Sequence, residues 1–141
     1  MRKLITIVLC LFVALPCAVS CKKSEEDVDV AARYSNTVFH YINERTGVTC
    51  ELHLFSSGRM EIEYRCNGRG KSSYGRYYIE GRIVQFYNHL LTIPADISYS
   101  GQEEQYTLSE GWIDGRFLLV TYKEKIGDGD WSNKQTIQFY F

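Results

Sequence analysis

The residues that could do chemistry in this chain are few and scattered. His40, His53 and His89 stand far apart, and no G-x-S-x-G segment or isolated reactive Cys accompanies them. A His–carboxylate pair without a nucleophile in reach has no acyl-transfer chemistry to perform. The carboxylates are spread too evenly to pick out the acid and base that glycoside hydrolysis needs across a cleft. Gly70-Lys71-Ser72 matches the end of a phosphate-cradling loop, but the first Gly of that motif would fall on Arg65, inside a strand, and no helix follows. Asp128-x-Asp130-x-Ser132 supplies the first oxygen ligands of a calcium loop. Asn133 then stands where the sharp turn needs Gly, and Phe139 where the bidentate Glu belongs. Both segments read as solvated loops. The chain is therefore expected to be no enzyme and to hold neither metal nor cofactor.

The cysteines are more informative. Cys10 and Cys17 lie in an apolar run, Leu4–Val19, that follows Arg2 and Lys3. The run is interrupted by Pro16 and is shorter than the ~20 apolar residues of a membrane span. A basic start, a short apolar stretch and small residues before Cys21 form an export signal that is cleaved. Ala18-Val19-Ser20-Cys21 resembles the lipobox of bacterial lipoproteins, in which the Cys is lipidated and becomes the new N-terminus. The tail Lys22-Lys23-Ser24-Glu25-Glu26-Asp27 is similar to the export tract after the lipid Cys in surface lipoproteins of Bacteroidota. Ala18-x-Ser20 also satisfies an ordinary secretory cleavage site, which would leave Cys21 as a free thiol. Cysteine parity favours the lipid, since it leaves Cys50 and Cys66 as an even pair in an oxidising compartment.

The expected organisation is a signal peptide over residues 1–20, a lipid-anchored flexible tether over 21–35 and one domain over 36–141. Within the tether, Ser24 with Asp27 could cap a short helix through Ala32. The resemblance implies a place in the bacterial cell envelope, at the outer membrane, held by palmitate-type acylation and exposed at the surface in the Bacteroidota case. The formal net charge of -1 and the lack of a basic block argue against nucleic acid.

Positioning elements follow from alternation. From Asn36 onward, short apolar–polar runs are punctuated by Gly, Asn, Ser and Asp, and Tyr and Phe are abundant, which favours strands. Around the turn Ser56-Ser57-Gly58, Cys50, Leu52 and Leu54 share one face, as do Met60, Ile62, Tyr64 and Cys66. Folding about Gly58 sets Leu54 against Ile62, Leu52 against Tyr64 and Cys50 against Cys66, with Glu51 opposite Arg65 and His53 opposite Glu63 on the polar face. That register predicts a Cys50–Cys66 disulfide, worth about 3 kcal/mol; two unpaired buried thiols are the alternative. A second hairpin turns at Glu80-Gly81, so that Tyr77 and Ile79 face Val84 and Phe86. Further strands are expected at Thr37–Ile42, Leu90–Ile93, Gln105–Ser109, Gly111–Asp114, Arg116–Lys123 and Thr136–Phe141. The fold class is all-β, an antiparallel up-and-down meander closing into a small barrel or flattened barrel.

Leu54-Phe55-Ser56-Ser57-Gly58-Arg59, then Gly75-x-Tyr77-x-Ile79-Glu80-Gly81 and Val84-x-Phe86, resembles the strand–turn rhythm of lipocalin-like lipoproteins of uncharacterised role. The resemblance implies a small barrel with a ligand cavity, for which Tyr77, Ile79, Val84 and Phe86 are the expected lining or core residues. Trp112 is expected in the core. Trp131, in a loop between Gly127 and Asn133, is the expected surface contact. The function expected is a binding or accessory module for a small apolar or sugar ligand or a protein partner. An inhibitor that blocks an enzyme with a surface loop is the alternative.

Overall fold

Alternating runs become strands because period-two side chains can cover one face of a sheet with apolar groups. A computed structural model describes residues 25–141; the signal segment and Cys21 lie outside the described residues. The chain order is α1 (Glu25–Tyr34), β1 (Thr37–Asn43), β2 (Val48–Leu54), β3 (Arg59–Cys66), β4 (Arg69–Glu80), β5 (Ile83–Tyr87), β6 (Leu91–Ile93), β7 (Glu104–Asp114), β8 (Phe117–Ile126) and β9 (Gln135–Tyr140). Neighbouring strands pair antiparallel in the order β5-β4-β3-β2-β1-β9-β8-β7-β6, and β5 also pairs with β7. That extra pairing closes eight strands into a barrel and leaves β6 as an added strand. The expected small lipocalin-like meander barrel is thus the observed fold.

The two closures differ in kind. β1 meets β9 through a single ladder pair, His40 with Tyr140, so the seam depends on packing between Phe39, Phe141, Tyr41 and Phe139. β5 meets β7 over Ile83–Trp112, Val84–Gly111 and Gln85–Glu110 before the chain leaves at Asn88, whose φ is 55°. β6 then takes the same edge of β7 opposite Glu104 to Tyr106. Between these two stretches, the Leu108 amide donates to His89 Nε2 at 2.7 Å. The His ring fills the gap in the ladder. At the β5 approach Gly111 has no room for a side chain: a Cβ would sit 2.8 Å from Leu118 and 3.3 Å from Phe86.

A β-bulge between Leu108 and Glu110 merges two expected strands into one and reverses the side-chain phase along it. Glu104 and Leu108 point inward before the bulge; Ile113 does so after it. Trp112 consequently faces out, 47% exposed, and is not the core residue its neighbours suggested.

The first hairpin keeps the expected faces but not the expected partners. Phe55 closes on Arg59 around a three-residue loop with Gly58 at φ 76°, so Leu54 meets Met60, Leu52 meets Ile62 and Cys50 meets Tyr64. Every partner is displaced by two residues. Cys66 falls opposite Arg69 on β4, and both cysteines are free. In this register Cys50 and Cys66 are diagonal and not directly opposed, and the expected disulfide is not formed: diagonal neighbours stand ~7–8 Å apart, whereas a disulfide needs Cβ atoms ~4 Å apart. The ionic pairs move too: Glu51 lies between His40 at 3.4 Å and His53 at 3.3 Å, and Arg65 pairs with Glu63 at 2.7 Å. In the second hairpin Tyr77 and Ile79 do face Phe86 and Val84, but Glu80 pairs with Ile83 and the two-residue loop is Gly81-Arg82, one residue later than the expected Glu80-Gly81.

The tether also needs correction. Residues from Glu25 form a helix that ends at Tyr34, and Tyr34 is buried. Its hydroxyl donates to the Gly115 carbonyl at 2.9 Å, and its ring packs on Phe39 and Phe141. Asn36, at φ 60°, stops the helix, and its side chain accepts from the Ser56 amide at 2.9 Å. A buried aromatic and two anchoring hydrogen bonds make the end of this segment part of the barrel's plug. Among the described residues no helix is long and apolar enough to cross a membrane.

Candidate functional site

The barrel is filled at one end and hollow at the other. At the α1 end, Phe39, Leu54, Met60, Val84, Phe86 and Leu118 form a core. At the opposite end, where the β1–β2, β3–β4 and β8–β9 turns gather, the walls enclose a cavity of about 410 Å3. Its size lies within the range of small-molecule sites. Aliphatic walls come from Val48, Ile62, Leu91, Leu108, Ile126 and Ile137.

Tyrosines supply much of the rest. Tyr64 stacks on Tyr106 at 6.5 Å between ring centres, and Tyr106 lies 6.3 Å from Tyr122. Each comes from an inward position of its strand, β3, β7 and β8. Their hydroxyls are placed by specific partners. Tyr64 Oη accepts from the Tyr99 amide at 3.1 Å, Tyr106 Oη donates to Glu104 Oε2 at 2.6 Å, and Tyr122 Oη donates to Gln135 Oε1 at 3.2 Å. Burial raises the pKa of all three above the ordinary tyrosine value, most strongly for Tyr106, where the hydrogen bond to Glu104 and its charge push the same way. The hydroxyls therefore stay protonated.

Two carboxylates line the cavity. Glu104 is only 4% exposed; besides the Tyr106 hydroxyl it accepts from the Ser100 amide at 3.1 Å. Glu124 accepts from Gln135 Nε2 at 2.8 Å. Each accepts these hydrogen bonds through its carboxylate oxygens. Cys50 also lines the wall, and burial pushes its thiol up to about 12, so it stays neutral and unreactive. The connection from Pro94 to Glu103 forms the rim, with Tyr99 and Ser100 tied to the wall as described and Ser98 Oγ donating to the Gln102 carbonyl at 2.5 Å.

The residues expected to line a cavity lie elsewhere. Val84 and Phe86 are buried in the filled end, and Tyr77 is pinned there by its hydroxyl, which donates to the Phe55 carbonyl at 2.7 Å. Tyr77 and Ile79 border a shallow groove against Ala31, Ala32 and Ser35 of the helix region. The four come together as core, one of the two roles expected of them, because α1 plugs that end. Trp131 is 40% exposed in the β8–β9 connection, at the cavity end. Among the described residues no group of three His, Cys, Asp or Glu side chains converges as metal ligands would.

Glu104, Tyr106, Tyr122 and Glu124 were missed by the sequence reading. A signal was there. In Glu104-x-Tyr106-x-Leu108 and Tyr122-x-Glu124-x-Ile126 a carboxylate shares the inward face with apolar neighbours, which a filled core would not tolerate.

Comparison with known proteins adds little. No known protein family matches the chain, and no solved structure matches it. A stretch of the isoleucine–tRNA ligase of Pectobacterium atrosepticum is 25% identical over 127 residues, covering 82% of this chain. This chain spans only 13% of that protein's length.

Proposed function

We propose that this is a non-enzymatic lipoprotein of the bacterial cell envelope whose barrel holds a small ligand. Cys21 would carry the lipid and anchor the domain at the outer membrane, as in the Bacteroidota lipoproteins its tail resembles. The observation that carries the ligand reading is the cavity of about 410 Å3, walled by aliphatic and tyrosine side chains. A well-formed apolar pocket with a few convergent polar groups is the usual form of a small-molecule site. The test is the non-denaturing mass of the full-length protein taken from its native membrane, before and after removal of the lipid. A non-covalent adduct that survives on the delipidated protein is expected. A bare protein would overturn the carrier reading.

A second reading, contact with a protein partner through a surface loop, draws on Trp131. A large aromatic 40% exposed in a connection is a contact residue of the kind interfaces favour. Under that reading Trp131→Ala weakens capture of the partner, while an adduct in the cavity is unaffected.

A further inference from the structure

Glu104 is the one charged residue in the buried set of the described domain. Buried charges are normally paired with an opposite charge. Here the fold supplies only neutral donors, the Tyr106 hydroxyl and the Ser100 amide. Glu124, on the strand facing Tyr106 in register, likewise has only the Gln135 amide. Among the described residues neither carboxylate forms a salt bridge with a Lys, Arg or His. Among the described residues the cavity lining contains two acids and no basic side chain. The basic groups on the neighbouring strands are committed elsewhere or outside the lining: Arg69 is bound to Asp96 at 2.5 Å, Lys71, opposite Tyr64, is exposed, and Lys123 and Lys125, which flank Glu124 on β8, do not line the cavity.

We infer that the cavity selects an organic cation: a protonated amine or quaternary ammonium group on an apolar body. The positive head would complete the charge that Glu104 and Glu124 leave unpaired, and the body would fill the aliphatic wall. Tyr64, Tyr106 and Tyr122 stand beside the carboxylates, and the negative faces of aromatic rings attract a cation in a desolvated site. An anionic ligand would meet two carboxylates in a low-dielectric wall and be repelled. This inference rests on the cavity being the ligand site.

The test compares three probes that share one alkyl chain: hexyltrimethylammonium, hexanol and hexanoate. Each is titrated calorimetrically into the full-length protein at physiological salt. The cation is expected to bind at least about tenfold more tightly than hexanol, with hexanoate weakest. Glu104→Gln keeps the size and an acceptor for Tyr106. It should remove most of the cation's advantage while hexanol binding stays within about twofold. Glu124→Gln is the second variant, used if the first does not give the parent's circular dichroism spectrum. If hexanol binds as tightly as the cation, the charge inference falls and the cavity reading stands. If no probe binds, the inference falls, and the carrier reading is then judged separately by the native mass.

Discussion

The Tyr106–Glu104 contact allows a quantitative test of how the cavity holds its charge. Tyr106→Phe removes one hydroxyl and leaves the ring, so the stacking on Tyr64 and the packing near Tyr122 persist. Glu104 then loses a donor at 2.6 Å and keeps only the Ser100 amide at 3.1 Å. A hydrogen bond to a charged group contributes about 1.5–3 kcal/mol, and one between neutral partners about 0.5–1.5 kcal/mol. Glu104 is buried but Tyr106 only partly so. The expected loss is therefore about 2 kcal/mol. Tyr122→Phe is the internal control. Its hydroxyl donates to a neutral amide oxygen at 3.2 Å, so the loss should be about 1 kcal/mol or less. Urea denaturation of both variants, with an unchanged slope against denaturant, gives the two numbers. If Tyr106→Phe costs no more than Tyr122→Phe, then Glu104 is not held as a buried charge, and the electrostatic picture of the cavity is refuted.

Other consequences are as direct. Burial lowers the His89 pKa, with the Tyr87 backbone opposing the shift, and His89 Nε2 must be unprotonated to accept from Leu108. The unfolded chain thus binds the proton more readily. This contribution to stability is complete above pH ~6.5 and is lost as the pH falls toward the lowered folded value, with a slope of at most about 1.4 kcal/mol per unit. His89→Gln, which offers a non-titrating acceptor, should flatten that limb of the stability profile; an unchanged profile would exclude His89 as its source. Gly111→Ala forces a methyl group against Leu118 and Phe86 and should cost about 1–3 kcal/mol, read by thermal or urea unfolding. Cys50 and Cys66 should both be alkylated by iodoacetamide in urea without prior reduction, since neither is bonded. Protection of both until a reductant is added would mean that the first hairpin pairs two residues away from the register described.

Much of the fold was legible because alternation is a local signal. It located most of the strands, separated inward from outward faces in β2 and β3, and found the second hairpin, although the loop there lies one residue later than expected and β4 begins at Arg69, within a segment read as a loop. What it could not report is which residue lies opposite which. A two-residue displacement leaves every side chain on the same face, so the pattern around Cys50 and Cys66 fits two registers equally well. The three-residue loop at Ser56–Gly58 selects one, and with it the free thiols. The bulge after Leu108 is a similar case. It broke the alternation, so one strand looked like two, and Trp112 was assigned the wrong side.

The candidate site shows the same division. The inward carboxylates of β7 and β8 are visible as a local oddity, but only closure of the barrel gives them a meaning. Tyr64 comes from β3 and Glu104 from β7, brought together through the seams of β1 with β9 and of β5 with β7. Sequence patterning determined that this chain is a β-meander with apolar inner faces. Which end of the barrel is filled was decided by the tertiary structure, because α1 and Tyr34 plug one mouth. Among the described residues nothing comparable fills the other, where inward tyrosines and carboxylates interrupt the aliphatic wall. That difference between two ends of the same strands is non-local, and it makes the hollow half the place to look for a ligand.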